Sequence, residues 1–339
     1  MALSLLLKGT EWIPMEWVRP LSGVALVVPF YHMVSEAHVP HVSNLYRFRT
    51  IAEFKADLEF FTRHFEPVTL QDIVDALDGN RSLPSSCFHL TFDDGFREMH
   101  DIVAPILQRA GIPATFFLAT AFLDGGGLPH YNALSVLLDR VNLGAANRSG
   151  VLARLDSILP AATSRNATLR DRILSIGYGQ RQLVQPLADA LEIDLDEYVR
   201  ERRPHLTTAE IATLVNLGFS IGSHSHDHPL YADLALSQQL AQTRASMQLL
   251  NAKFGASPKA FAFPHNDGGV KGEFFKTVFS ESWLDVSFGT SGLVSHFHPR
   301  NIQRVSVEKT AAPVSRILAR QFTRATYFRL RSTEQVAAP

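Results

Sequence analysis

The sequence lacks the features that mark several classes of protein. It has one cysteine, Cys87, so no disulfide can form within the chain, and we expect this thiol to be buried. No run of about 18 consecutive apolar residues is present, which argues against a transmembrane helix. Residues 1–8 have no basic region and no small-residue cleavage pattern, so we expect no signal peptide and a cytoplasmic protein.

The sequence also lacks an excess of charge of one sign. Its 32 Lys and Arg residues balance 33 Asp and Glu residues, so no overall field favours nucleic acid as a partner. No internal repeat or low-complexity segment is present. What remains is a globular chain of 339 residues, whose 46% hydrophobic content can fill a large core.

Short apolar strands alternate with amphipathic helices along most of the chain. Candidate strands lie at 24–28, 88–92, 114–119, 219–222, 260–263, 285–288 and 302–307. The strand, helix and strand between 88 and 119 form a βαβ unit, which is typical of a parallel sheet. The pattern therefore predicts an α/β fold over residues 24–310, either a (β/α) barrel or an open doubly wound sheet.

Two segments fall outside this alternation. Residues 131–203 are helix-like without a clear strand, and we interpret them as a helical insertion because βα loops are usually only a few residues long. Residues 314–332 predict a basic amphipathic helix. This helix either docks on the domain or lies on an anionic membrane surface, and liposome flotation that survives deletion of residues after Pro313 would reject the membrane role.

Chemically active side chains follow several of the candidate strands. Asp93 and Asp94 end the strand at 88–92, where two adjacent carboxylates need a cation or a shared proton to relieve their repulsion. His224 and His228 follow the strand at 219–222, and with one carboxylate they can form a metal site. For the histidines alone, an incidental polar loop is the alternative. The carboxyl ends of parallel strands meet at one edge of the sheet, so we expect these groups to lie close together.

Two further strand ends carry histidines. His32 follows the strand at 24–28, and His265 follows Pro264 after the strand at 260–263. A histidine at a strand end is common, so only its neighbours can make it a site residue.

Three motifs make the sequence resemble the polysaccharide deacetylase family, also called the NodB-homology or carbohydrate esterase 4 family. They are Thr91-Phe92-Asp93-Asp94-Gly95, Gly111-Ile112-Pro113-Ala114-Thr115-Phe116-Phe117 and Gly222-Ser223-His224-Ser225-His226-Asp227-His228. The resemblance covers about residues 26–307, apart from the helical insertion. It implies a distorted (β/α)7-type barrel and a metal-dependent hydrolase that removes an N-acetyl group from an amino sugar of a saccharide or glycoconjugate. An O-acetyl ester or N-formyl hydrolase, or a carbohydrate-binding protein with weak activity, is the alternative.

The resemblance also implies roles for the matching residues. Asp94, His224 and His228 would bind a divalent metal ion, for which we expect Zn²⁺, although cobalt, nickel and iron suit the same ligands. Asp93 would be the general base that takes a proton from water at the metal. His226, which lies between the two ligands in sequence, is expected at the rim of the site.

Two departures from the family pattern concern the groups around this centre. The third motif is Phe261-Ala262-Phe263-Pro264-His265-Asn266, without the arginine that orients the base, although the N–H after Pro264 can still bind an oxyanion. The expected Leu-x-His strand near the C-terminus is also missing. Circularly permuted members carry an apolar strand ending in Tyr-His near the N-terminus, as Tyr31-His32 does here, which implies that His32 is the general acid. His296 and His298 are the competing candidates.

Overall fold

The computed structural model describes residues 13–145, 150–161, 166–294 and 297–336, with side chains as far as Arg331. The predictions made for residues 1–8 and for His296 lie outside these ranges.

The strands of the protein are short and all parallel. In chain order they are β1 (Leu26–Val27), β2 (Pro29–Tyr31), β3 (Glu66–Pro67), β4 (Cys87–Phe88), β5 (Leu90–Phe92), β6 (Ala114–Leu118), β7 (Ser220–Ser223), β8 (Ala260–Ala262), β9 (Val286–Gly289), β10 (Asn301–Gln303) and β11 (Val305–Ser306). Eight of them form one sheet in the order β10-β9-β8-β7-β6-β5-β2-β11, and the other three form a small sheet in the order β1-β4-β3.

The eight-stranded sheet curls into a nearly closed barrel. Its two end strands, β10 and β11, are separated in sequence only by Arg304. The first pairs with β9 and the second with β2, so one interrupted strand joins the two edges of the sheet. Counted as one, these two strands leave seven in the barrel, and the predicted distorted (β/α)7-type fold is confirmed.

Two of the predicted strands divide between the two sheets. The apolar run at 24–28 ends in the small sheet at Val27, and the chain enters the barrel again as β2. The run at 88–92 divides in the same way at His89, whose ring nitrogens lie 2.8 Å from Val68 O and 2.8 Å from Thr115 Oγ1. Cys87, in the small sheet, is fully buried as expected.

Helices surround the barrel. They are α1 (Met15–Ser22), α2 (Ile51–His64), α3 (Leu70–Leu77), α4 (Ala104–Ala110), α5 (His130–Asn142), α6 (Val151–Ile158), α7 (Leu169–Leu174), α8 (Val184–Ala190), α9 (Leu195–Arg202), α10 (Thr208–Asn216), α11 (Leu236–Phe254), α12 (Gly272–Ser280) and α13 (Val314–Val336). Helix α2 begins with the predicted capping box, in which Thr50 Oγ1 accepts from Glu53 N at 3.1 Å and Glu53 Oε2 accepts from Thr50 N at 3.0 Å.

Helices α5 to α9 lie between β6 and β7 and have a core of their own. Its buried members include Leu134 and Leu137 of α5, Leu155 of α6 and Leu187 of α8. They form a cluster distinct from the one that fills the barrel and its outer helices. The segment therefore packs as a compact body on the carboxyl-terminal side of the barrel strands.

Helix α13 docks on the rest of the protein. Leu318 and Phe322 are fully buried, and the Phe322 ring stacks on Phe65 with centroids 6.4 Å apart. Thr326 Oγ1 and Arg329 Nη1 donate to backbone carbonyls of α1. Among the described residues, no helix combines the length and the apolar character needed to cross a bilayer.

Candidate metal centre and active site

The two adjacent acids sit in a sharp turn directly after β5. Asp93 N donates to Tyr31 O at 2.9 Å, which continues the pairing of β5 with β2 by one residue. Asp94 then adopts φ of 75° and Gly95 adopts φ of 77°, so the chain reverses within two residues. Asp is one of the few residues that tolerate this left-handed conformation. The turn sends the two carboxylates to different neighbours, although they are adjacent in sequence.

Asp94 lies beside two histidines that follow β7. Its Oδ1 is 3.0 Å from His228 Nε2 and 3.4 Å from His224 Nε2, and all three side chains are buried. Burial raises the pKa of Asp94, but the two adjacent histidines, His228 foremost, outweigh this effect and hold that pKa well below its usual range.

The donor atoms of this cluster suit a metal ion. His224 Nδ1 is 2.8 Å from Ala262 O, so this nitrogen carries the proton and Nε2 presents a lone pair to the site. Asp94 Oδ1 is buried and has no well-formed hydrogen bond among the described residues. A buried carboxylate oxygen beside two imidazole nitrogens, of which that of His224 presents a lone pair, suits a cation, and two histidines with one carboxylate are a ligand set for divalent metals.

Asp93 is held by an arginine that the sequence analysis did not identify. Arg304 Nη1 donates to Asp93 Oδ1 at 2.7 Å and Nη2 to Oδ2 at 2.8 Å, in a bidentate pair from which solvent is excluded. The guanidinium also lies 4.7 Å from the centre of the Phe30 ring. Burial raises the pKa of Asp93, but Arg304 and His224 outweigh this effect and lower it. The expectation that the base lacks an orienting arginine is therefore wrong.

His32 is held by a second missed residue, Glu308. The Glu308 carboxylate pairs with His32 Nδ1 and accepts from the His32 backbone N–H at 3.0 and 3.1 Å. The carboxylate is fully buried, whereas the imidazole keeps 14% of its surface exposed. Burial lowers the pKa of His32, but Glu308 outweighs it, and the pKa is raised above its usual value. The pairing of Nδ1 with Glu308 holds the imidazole ring, so Nε2 is the ring nitrogen that remains for the cavity.

Several of the candidate side chains line one cavity of about 300 Å³ at the carboxyl ends of the strands, whereas His224, Arg304 and Glu308 lie behind its lining. It brings together Asp93, Asp94, His32, His228 and His265, and it also contains Tyr46 and Lys309. His265 is exposed, and its ring meets that of His228 with centroids 4.7 Å apart. The main chain at His265, directly after Pro264, has φ of 60° and turns beside the cluster.

The other histidine candidates lie elsewhere. His226 Nδ1 is 3.0 Å from Thr120 Oγ1, on the loop that carries His224 and His228, and His226 does not line the cavity. His298 stacks on Phe279 with ring centroids 4.4 Å apart and borders a different cavity near α13. Of the general-acid candidates that the structure describes, His32 is thus the one in the cavity with the acid pair.

One sequence signal could have revealed Arg304 and Glu308. Both lie in or just after the apolar strand predicted at 302–307, where a charged residue is out of place unless it is paired. No comparable signal pointed to Tyr46, which also lines the cavity, because it lies in the irregular loop after β2.

The sequence matches the family model described as polysaccharide deacetylase over residues 80–136 and 190–271. These two stretches contain Asp93, Asp94, His224 and His228. Over these two stretches the chain is similar to the polysaccharide deacetylase family. Residues 137–189, between the two matched stretches, lie within the helical segment formed by α5 to α9. No curated protein matches the chain.

Solved structures of deacetylases share the fold of this chain. The Streptococcus pyogenes deacetylase PplD, in complex with acetate, is 14% identical with a TM-score of 0.54, covering 86% of this chain and 96% of its own. IcaB from Ammonifex degensii is 16% identical with a TM-score of 0.54, covering 90% and 98%. A de-N-acetylase from Aggregatibacter actinomycetemcomitans is 15% identical with a TM-score of 0.51, covering 86% and 97%.

Proposed function

We propose that this protein is a metal-dependent deacetylase that removes the N-acetyl group from an amino sugar of a saccharide or glycoconjugate. The observation that supports this most strongly is the division of the two acids: Asp94 meets His224 and His228, while Asp93 is tied to Arg304 in the same cavity. One carboxylate is placed to bind a cation, and the other stays free to move a proton. The match to the polysaccharide deacetylase family model over the stretches that carry these residues supports the same proposal.

Asp94, His224 and His228 would hold the metal ion, and Zn²⁺ suits two imidazoles and one carboxylate that leave further positions open. Such an ion, when bound, polarises a carbonyl oxygen and lowers the pKa of water in contact with it. The remaining chemistry belongs to side chains and backbone groups of this chain.

Asp93 accepts the proton of the attacking water. Its lowered pKa keeps the carboxylate ionised at neutral pH, and Arg304 fixes both oxygens so that their remaining lone pairs face a defined direction. Asp93 Oδ2 lies 4.0 Å from His224 Nε2, close to the metal ligands without belonging to their cluster.

His32 donates a proton to the leaving amine. Its raised pKa, caused by Glu308, keeps the imidazole protonated over more of the neutral range, which is what a general acid requires. The backbone N–H of His265, after Pro264, is the proposed donor to the oxyanion that forms when water adds to the acetyl carbonyl. The His265 ring lies at the mouth of the cavity, where it would contact the sugar.

A metal analysis followed by an amine-release screen tests this function. Purified protein is expected to contain a divalent metal and to release amines from N-acetylated mono- or oligosaccharides. Asp93→Asn should lower the rate by about 10²- to 10⁴-fold, the usual contribution of a general base, while the metal content stays the same. The matched control is Asp233→Asn, an acid outside the cavity.

The same screen separates the alternatives. O-acetyl and N-formyl sugars are included, and release of acetate or formate from these without amine from N-acetyl sugars would assign the cavity to ester or formamide cleavage. Protein without metal, or an Asp93→Asn variant as active as the wild type, would contradict the enzyme and favour a carbohydrate-binding role.

The pH dependence of turnover tests the pairing of His32 with Glu308. A general acid works only while protonated, so activity falls as the pH rises through the pKa of His32. Because Glu308 raises that pKa, Glu308→Gln should move the alkaline limb of the kcat profile to lower pH, with metal content unchanged. The control is Glu16→Gln, which alters the exposed pair of Glu16 with His64, 3.6 Å apart. An alkaline limb that does not move would show that another group donates the proton.

We also propose that the protein contacts anionic lipid through helices α1 and α13. Exposed apolar side chains lie on the two packed helices, with Trp17 and Leu21 on α1 and Phe328 and Leu330 on α13. Arginines interleave with them along α13, which is the composition of a helix that binds a membrane surface.

A further inference from the structure

The hydroxyl group of Tyr46 is buried at the active-site cavity without a partner from the protein. The side chain lines the cavity, and although the residue as a whole is half-buried, its hydroxyl oxygen is shielded from solvent. This oxygen makes no well-formed hydrogen bond to any residue that the structure describes. A buried hydroxyl needs a hydrogen-bond partner, because it has given up its contacts with bulk water. Its O–H group therefore suits an acceptor that enters the cavity from outside.

The loop that carries Tyr46, between β2 and α2, is tied down on both sides of this residue. On one side, Asn44 Nδ2 donates to Ser135 O of α5 at 3.0 Å. On the other side, Arg47 Nη1 donates to Thr310 O at 3.2 Å. The tyrosine ring packs against a cluster of buried apolar side chains, which are Met33, Val39, Val42 and Phe96. The phenol is therefore held in place although it stands on a loop, as a group that acts on a reacting atom must be.

The Tyr46 side chain lies among the charged groups of the proposed centre. Its ring meets that of His32 with centroids 5.0 Å apart. Burial raises the pKa of the phenol, and three carboxylates raise it further. They belong to Asp94, Glu308 and Asp93, of which Asp94 has the largest effect. A phenol keeps its proton at neutral pH even in water, where its pKa is about 10, so this side chain is a neutral hydrogen-bond donor.

Each of these three carboxylates has another partner. That of Asp93 is paired with Arg304. That of Glu308 is paired with His32, and that of Asp94 meets the two histidines of the proposed metal site. The acceptor that remains for the phenol is therefore on the substrate, and the acetyl oxygen is the atom that must approach the metal ligands to be polarised. Because this oxygen becomes negatively charged when water adds to the carbonyl carbon, a hydrogen bond to it strengthens in the transition state.

We propose that Tyr46 is a further catalytic residue, whose hydroxyl donates a hydrogen bond to the acetyl oxygen of the substrate as that oxygen becomes negatively charged. The inference rests on the proposed deacetylase function and adds a residue to it. When water adds to the carbonyl carbon, one electron pair of the C=O bond moves to this oxygen, and Asp93 takes a proton of the water. The phenol keeps its own proton throughout. It stabilises the oxyanion from a side chain, whereas the N–H of His265 does so from the main chain.

Tyr46→Phe tests this role, because it removes the hydroxyl and keeps the ring. With metal-loaded protein and a β-linked tetramer of N-acetylglucosamine, kcat for amine release should fall by about 10²- to 10³-fold, the usual loss for one oxyanion donor, with KM nearly unchanged. The urea midpoint should not fall, since the hydroxyl has no well-formed hydrogen bond to lose in the described part of the protein. Tyr327→Phe, on α13 and outside the cavity, is the matched control and should behave like the wild type.

Binding of a tetrahedral analogue gives a measurement that does not depend on turnover. The probe is glucosamine in which a methylphosphonyl group replaces the acetyl group, so that a negatively charged oxygen stands where the oxyanion forms. Tyr46→Phe should bind this phosphonamidate about 10²-fold less tightly than the wild type does, and N-acetylglucosamine equally tightly.

Metal titration separates this role from support of a metal ligand. If Tyr46→Phe bound the metal less tightly and excess metal restored its kcat, Tyr46 would act through Asp94 and the inference would be wrong. Unchanged kcat and unchanged phosphonamidate binding would also overturn it, while amine release by the wild type would leave the proposed function standing. A metal-loaded wild-type protein that releases no amine would remove both.

Discussion

Arg304→Met is expected to destabilise the folded protein by about 3–5 kcal/mol, because it leaves the Asp93 carboxylate buried without a partner. Amine release should fall by about 10²-fold or more, since the base loses both the group that orients it and the charge that keeps it ionised. Urea unfolding measures the first effect, and turnover at saturating metal measures the second.

A double variant separates the two effects. In Asp93→Asn/Arg304→Met both charges are gone, so most of the lost stability should return, whereas activity should stay low because the base is missing. Arg300→Met is the matched control, as Arg300 makes a partly exposed pair with Asp78 for which about 1 kcal/mol or less is expected. A single Arg304 variant with wild-type stability and turnover would show that the pair does not orient the base.

Asp94→Asn is expected to abolish metal binding at micromolar metal and to remove amine release with it. The substitution keeps the shape of the side chain and the left-handed conformation at φ of 75°, which Asn tolerates, so the turn after β5 should persist. What changes is the charge, and a neutral amide with two imidazoles is a much poorer ligand set for a divalent cation. Metal analysis after dialysis and a thermal shift on adding metal measure the loss.

A second cluster of potential ligands provides the control. His100, Asp101 and Glu210 also place three ligand atoms within 4.8 Å of one another, but Asp101 is exposed. Asp101→Asn should therefore leave metal content and turnover unchanged. If Asp101→Asn lost the metal and Asp94→Asn kept it, the assignment of the centre to the end of β5 would be wrong.

The sequence predicted the candidate site best where chemically active side chains directly follow a recognisable apolar strand. Asp93, Asp94, His224 and His228 each follow a short apolar strand, and parallel strands bring such ends together, so their meeting in one place could be expected. The capping box of α2 was predictable for the same reason, because Thr50 and Glu53 lie within four residues.

The partners of Asp93 and His32, the two proposed proton-transfer residues, could not be derived in this way. Arg304 lies 211 positions from Asp93, and Glu308 lies 276 positions from His32. These pairs depend on how the barrel closes, which a single sequence does not show. The contact between the loop after β2 and helix α5 was equally hidden, because its hydrogen bonds join positions about 90 apart, such as Asn132 and His41.

The interrupted last strand, β10 and β11, has a consequence for how the active site is assembled during synthesis. The three proposed metal ligands, the proposed base and the proposed acid all precede residue 229, so a nascent chain carries every one of them before the last strand leaves the ribosome. Arg304 and Glu308 arrive only with that strand, which also joins the two edges of the barrel. The strand that closes the barrel therefore also supplies the partners of Asp93 and His32, and an incomplete chain that bound a metal ion early would lack the side chains that hold both residues in position.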